Sequence, residues 1–269
     1  MPIAIVTGIR FQRRNEFAIC HIDHLSNEIK EVIRNQLSAV CYGLSKAASV
    51  RKTYNYKNTL KEFLKRYDSK SSDTKLGMIG ELLTHILIFQ FFTEFNAVSP
   101  YFNLEERSIK KGFDVILYSR GKKELWITEV KSGERHQNKN AGETIITLLG
   151  TAKRDLEKRL NENEVTFWEN AINGATTALA NKKDMKDAVM DILGEIGDEV
   201  AEERAKSTDK NVILVASLFA SLTDEIKEYE VNNFTGKLSK DKPFKNVIVF
   251  SIQKATYQNV VDFLREEAK

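Results

Sequence analysis

The chain has 269 residues, 42% of them hydrophobic and 29% charged, with a formal net charge of +3. That is ordinary globular composition and excludes a disordered chain. The length suits one large domain or two small ones, and the longest apolar stretch, Val212 to Ala220, falls far short of the ~20 residues of a membrane helix.

The opening run, Met1 to Arg14, has no charged region ahead of its apolar residues and no small-residue cleavage site, so a signal peptide is not expected. Two cysteines, Cys20 and Cys41, cannot build a disulfide scaffold, and a reducing cytoplasm is the expected compartment. Cys20, His21, His24 and Cys41 have poor spacing for zinc, since Cys20 and His21 are adjacent and no CxxC pair exists.

Ile3 to Ile22 is predicted to hold one or two short strands. Asp23 or Ser26 then caps a helix to about Leu44, with Leu25, Ile29, Val32, Ile33, Leu37 and Val40 at helical spacing. Lys46 to Lys75 is the densest basic stretch, interleaved with Tyr54, Tyr56 and Tyr67. Clustered cations and aromatics suit a nucleic-acid backbone, and equally a solvated helix face. Thr74 to Phe95 reads as a buried helix, apolar around most of its circumference. Strand-like runs follow at Phe113 to Ser119 and Leu125 to Lys131. Glu143 to Leu160 has the stripe of an amphipathic helix, and Phe167 to about Arg204 is mostly helical. Within it, Asp184 to Glu203 is acidic with Lys186 as its one base, a solvated face or a docking face for a basic partner. Val212 to Ala220 is of buried-strand type, Asn246 to Ile252 is a further strand, and Thr256 to Glu267 a terminal helix. The expected architecture is α/β, with residues 1–73 an N-terminal extension packed on a core of 74–269, and a helical insertion at about 165–210.

The chemistry concentrates on the strand pair. A two-residue turn at Gly121-Lys122, with glycine taking the special conformation of a type II′ hairpin, pairs Tyr118 with Leu125 and Ile116 with Ile127. Asp114 then falls opposite Glu129, where paired β-carbons sit ~4.5–5.5 Å apart, and Lys131 points to the same face. Ile116, Tyr118, Leu125 and Ile127 line that face, and Phe113, Val115, Leu117, Trp126 and Val130 the other. Two carboxylates facing each other in a covered sheet repel unless a cation lies between them. Oxygen-only ligands suit Mg²⁺, with Mn²⁺ a substitute. A lysine beside the ion orients the attacking water or stabilises charge growing on a phosphate. Glu81, next to Gly80 on the buried helix and followed at i+4 by His85, could complete the acidic set. Lys110, Lys111, Arg135 and His136 flank the two strands and are the candidate DNA contacts. The bland alternative is a salt-bridged sheet patch. No GxxxxGK[ST] run is present, so ATP-driven motion would have to come from a partner.

In the order helix–strand–strand–helix–strand, Gly112-Phe113-Asp114 and Glu129-Val130-Lys131 resemble the PD-(D/E)xK nuclease superfamily, of restriction-endonuclease-like fold. Gly80-Glu81-Leu82-Leu83, Lys111 to Tyr118, and Glu129 to Gly133 extend the resemblance to the HamA family, the nuclease subunits of Hachiman anti-phage defence. The resemblance implies that Asp114, Glu129 and the Val130 carbonyl bind divalent metal, that Lys131 is catalytic, and that Glu81 is the acid of the first core helix. It implies cleavage to a 3′-hydroxyl and a 5′-phosphate, and a large helicase partner, HamB, that restrains the nuclease. Phe113 stands where the superfamily's name has proline, at a position that varies widely. The rival expectation is an inactive scaffold that binds DNA and the helicase without cutting.

Overall fold

The structure, a computed structural model, describes residues 6–102 and 112–269. In chain order the elements are β1 (Ile9–Arg13), β2 (Phe17–Ile22), α1 (Asn27–Tyr42), α2 (Leu44–Ala47), α3 (Tyr56–Asp68), α4 (Ser72–Phe91), β3 (Phe95–Ala97), β4 (Val115–Ser119), β5 (Glu124–Glu134), α5 (Ala141–Asn161), α6 (Val165–Ala178), α7 (Lys183–Ala201), β6 (Asn211–Phe219), α8 (Glu228–Asp241), β7 (Asn246–Lys254) and α9 (Gln258–Glu267).

The strands form a seven-stranded mixed sheet in the order β1-β2-β7-β6-β5-β4-β3. The four central strands, β2, β7, β6 and β5, run parallel, and the flanking pairs are antiparallel. The sheet curls enough for Arg13, at the end of edge strand β1, to pair with Glu94, just ahead of the opposite edge strand β3. Thus β1 and β2, from the first 73 residues, are strands of the same sheet as the later elements.

Helices cover both faces. On one, α1, α3, α4 and α9 bury Ile33, Leu37, Phe63 and Leu82 against Ile213 and Phe250 of the sheet. On the other, α5 to α8 bury Leu149, Leu156, Trp168 and Val189 against Leu214 and Val249. A central parallel strand covered on both sides is expected to be nearly continuously apolar, and every residue of β6 is buried.

Local signals explain several helix starts. The Ser26 hydroxyl accepts from the Ile29 N–H and starts α1. Asn140 and Glu143 form a reciprocal capping box that starts α5. Among the boundaries that differ from expectation, two bear on the hairpin and its neighbours. α4 ends at Phe91, not Phe95, because Phe95 leaves the helix for β3. β5 runs on to Glu134, pairing with β6 along its whole length.

Cys20 lies on β2 and Cys41 on α1, both wholly buried in the same apolar layer. Burial pushes both thiols well above their ordinary range, so neither forms thiolate near neutral pH. Ellman's reagent is expected to label neither cysteine in the folded protein and both in denaturant; fast labelling of the native chain would contradict the packing of β2 on α1. Among the described residues no helix is long and apolar enough to cross a membrane.

Candidate active site

The β4–β5 hairpin has the expected register. Val115 pairs with Thr128, Ile116 with Ile127 and Tyr118 with Leu125. The turn differs. Ser119 and Glu124 close a four-residue loop, and Lys123, with φ +52°, takes the left-handed conformation expected of Gly121. Both loops share one centre, so the register is unchanged. The ladder begins at Val115, so Asp114 and Phe113 lie just ahead of the strand. Phe113 consequently packs on the α5 side, its ring 4.8 Å from that of Trp168, and not on the α4 side with Val115 and Leu117.

Asp114 is tied to β5, since the Val130 N–H donates to its Oδ2 at 2.7 Å. The N–H it grips is that of Val130, the residue between Glu129 and Lys131. Glu129 is 1% exposed, beside Leu214 of β6 in the ladder. An ionised carboxylate there requires positive partners, and it has two. Lys131 Nζ stands 2.9 Å from its Oε1, and Arg159 NH1 donates to its Oε2 at 2.7 Å. Arg159 comes from the last turns of α5 and also donates to the Gly112 carbonyl at 3.2 Å. Its guanidinium carbon lies 5.7 Å from the centre of the Phe167 ring on α6. Lys131 reaches a second carboxylate, Asp155 of α5, at 2.9 Å. Burial pulls the Lys131 ammonium down, but Glu129 beside it and its bonds to Asp155 and Glu129 outweigh this, and the group sits above its ordinary value. Lys131 is therefore a fixed cation and not a neutral base.

Asp155 and Arg159 were not anticipated from sequence, although the signal was present. Ala152, Asp155, Leu156 and Arg159 follow i, i+3, i+4, i+7 and share one helix face, which is the face that α5 lays on the sheet.

Glu81 reaches the neighbourhood from the other side. Gly80 lets α4 touch the sheet there, because a Cβ at that position would stand 1.9 Å from the Ser132 hydroxyl. The adjoining Glu81 is half-buried. Tyr101 lies within electrostatic reach of both Glu81 and Asp114. Its hydroxyl donates to the Met78 carbonyl at 3.2 Å, and burial pushes the phenol well above its usual range, with Glu81, then Cys41 and Asp114, adding to the shift. Both carboxylates thus act on one buried tyrosine. His85, a turn beyond Glu81, is buried edge-on to Tyr101, with ring centres 5.7 Å apart.

Of the four candidate DNA contacts, Lys110 and Lys111 lie outside the described residues. Arg135 and His136 follow β5 directly. Arg135 is exposed, 3.8 Å from Asp224, and the His136 N–H donates to the Thr144 hydroxyl at 3.2 Å. In the Lys46–Lys75 stretch the tyrosines are taken up in packing: Tyr67 is buried, and Tyr54 sits edge-on to Tyr42 at 5.0 Å. On α7, Asp184, Asp187, Asp191, Glu195 and Asp198 form an exposed acidic row.

Among the described residues no three Asp, Glu, His or Cys side chains stand together as a metal-binding group. That does not disqualify Mg²⁺, which commonly takes one or two protein carboxylates and completes its shell with water and substrate phosphate. Asp114, held on the Val130 N–H, and the nearby Glu129 offer oxygen donors only, and Glu129 stands in a position that already demands positive charge. The donor set fits a hard divalent cation.

No curated protein matches the chain. The sequence model of the HamA family, however, matches residues 10–268, from the first sheet strand to the terminal helix, so the chain belongs to the HamA family.

Proposed function

We propose that the chain is a divalent-metal-dependent DNA nuclease of restriction-endonuclease-like, PD-(D/E)xK type, acting as the effector of Hachiman anti-phage defence under restraint by a large helicase partner. HamA membership supports the defence context. The observation that carries the chemistry is Asp114 bound to the Val130 N–H, between Glu129 and Lys131 on one hairpin. Asp114, Glu129 and the Val130 carbonyl would hold Mg²⁺ or Mn²⁺, which when bound supplies an activated water and positive charge beside the phosphate. Lys131, kept protonated by Glu129 and Asp155, would orient that water and stabilise the charge growing on phosphorus. Glu81 would close the acidic set from the α4 side. Arg135 and His136 stand where a DNA backbone would pass the end of β5.

The test is incubation of supercoiled plasmid with wild type and Lys131→Ala, each with Mg²⁺ and with EDTA. Wild type plus Mg²⁺ is expected to cut. Lys131→Ala should lose at least about a hundredfold, the scale of one lost transition-state donor, while keeping its fold. Full activity in that variant would remove Lys131 from the chemistry. Because the helicase restrains the nuclease in this reading, a silent isolated chain moves the same assay to the assembled complex.

A second reading has its own observation: both oxygens of Glu129 are already held by Lys131 and Arg159, as in a purely structural ion cluster. That reading makes the chain a scaffold and predicts no metal stabilisation. A Mg²⁺- or Mn²⁺-induced rise in melting temperature, absent in Glu129→Ala, would reject it.

A further inference from the structure

We propose that Arg159 is the cation that occupies Glu129 in the metal-free protein and surrenders it when a divalent ion enters, which frees a bidentate donor beside the metal for a DNA phosphate. The inference rests on the metal-dependent reading above. It assigns a positioning role to a residue on α5, outside the hairpin motif.

Two cations crowd a single carboxylate. Glu129 Oε1 is held by Lys131 at 2.9 Å, and Oε2 by Arg159 at 2.7 Å. A divalent ion bound there would stand against two like charges in a buried site, where Coulomb repulsion is weakly screened. One of the two must leave. Lys131 has a second anion, Asp155, at 2.9 Å, and it stands on a strand paired there with β6. Arg159 has no second anion among its recorded bonds. Its other anchors are a neutral carbonyl, Gly112 at 3.2 Å, and the face of Phe167. It springs from the last turns of α5, and its side chain is 22% exposed, so its long stem offers a way out to solvent. Arg159 is therefore the partner that moves.

Its departure has two consequences. It releases the Gly112 carbonyl, two residues ahead of Asp114, and so unties the segment that carries the other acidic ligand. It also leaves a planar fork, matched to phosphate oxygens, at the mouth of the site. A structural arginine would do neither.

The experiment is calorimetric titration of Mn²⁺ into the full chain as wild type, Arg159→Gln and Arg159→Lys, with thermal melting in EDTA alongside. Removing the competitor should tighten Mn²⁺ binding about tenfold in Arg159→Gln, the scale of one displaced charge-assisted bond. Arg159→Lys, whose ammonium is a point donor without the fork, should fall between. Should Arg159→Gln not fold, Arg159→Lys alone carries the test, and any tightening upholds the exchange. Unchanged or weaker Mn²⁺ binding in the folded variants overturns the proposal and leaves the metal site standing. Absence of Mn²⁺ binding in all three proteins, wild type included, overturns the metal-dependent reading and the exchange with it.

Discussion

Replacing Arg159 with alanine is expected to lower the free energy of unfolding, in EDTA, by about 3–5 kcal/mol, the scale of breaking a buried ion pair from one side. The size follows from what is left behind. Glu129 is 1% exposed, and only Lys131 would remain on it, shared with Asp155. The penalty belongs to the stranded carboxylate more than to the lost contact, and that distinction is measurable. Combining Arg159→Ala with Glu129→Gln removes the charge together with its partner, so most of the loss should return in the double variant. Urea denaturation of wild type, the two single variants and the double variant gives the coupling energy directly. Excess Mn²⁺ should also recover part of the loss in Arg159→Ala, by about 2.7 kcal/mol at a hundred times its dissociation constant. A loss below about 1 kcal/mol, at the level of exposed surface pairs, would mean that Glu129 finds another partner.

The ion cluster marks the boundary of what the sequence made legible. Alternation fixes which side chains share a face, and a centred turn fixes which residues pair, so Ile116 could be paired with Ile127, and Glu129 and Lys131 put on one face, before any coordinates. Asp114, ahead of the ladder, meets β5 at the Val130 N–H instead of pairing with Glu129 in the ladder. The turn type was less legible. Gly121 is free to take a positive φ, yet a four-residue loop puts that conformation on Lys123 at its far end. Phe113 fell on the unexpected side because alternation holds only inside the ladder, and the ladder starts at Val115. Long-range partners were hidden for a different reason. Arg159 lies 30 residues beyond Glu129, and nothing local says that the face of α5 carrying it will lie on β5. β3 went unforeseen, and its first residue, Phe95, fell in the preceding helix, because the apolar pattern continues from α4 without a glycine or proline to stop it. α8 was missed because few of its side chains are buried, chiefly Val231, Thr235 and Leu238, among Asn232, Asn233 and Gly236.

The metal question and the charge question are therefore one. A hairpin that assembles two carboxylates in a covered sheet must neutralise them continuously, during folding and before any ion arrives. Lys131 and Arg159 do this in the present structure. A site neutralised by protein cations stays folded without metal, whereas one relying on the metal alone would unfold on chelation. The chain is thus expected to survive EDTA, which allows stability and metal affinity to be measured on the same protein.

Gly43→Ala is expected to destabilise the fold by about 3 kcal/mol or more, through backbone strain and a clash that add. Gly43 joins α1 to α2 with φ +86° and ψ 162°, a region essentially reserved for glycine. An added Cβ would also stand 2.5 Å from the Cα and 2.6 Å from the Cβ of Ala178, at the end of α6. Neither side can easily retreat. The carbonyls of Val40 and Cys41, at the end of α1, accept from the N–H groups of Tyr101 and Phe102 at 2.8 and 3.0 Å. Beyond the junction, the Ser45 hydroxyl accepts from the Asn181 N–H at 3.0 Å. The same substitution at Gly150, inside α5 with nothing within 4 Å of the new Cβ, should instead be neutral or stabilise by up to about 1 kcal/mol. Denaturation of the two variants side by side separates the effects. If Gly43→Ala proved as benign as Gly150→Ala, the close seating of the α1–α2 junction on α6 would be wrong. The packing that carries α6, with Phe167 and Trp168, up to Phe113 and Arg159 would then need to be redrawn.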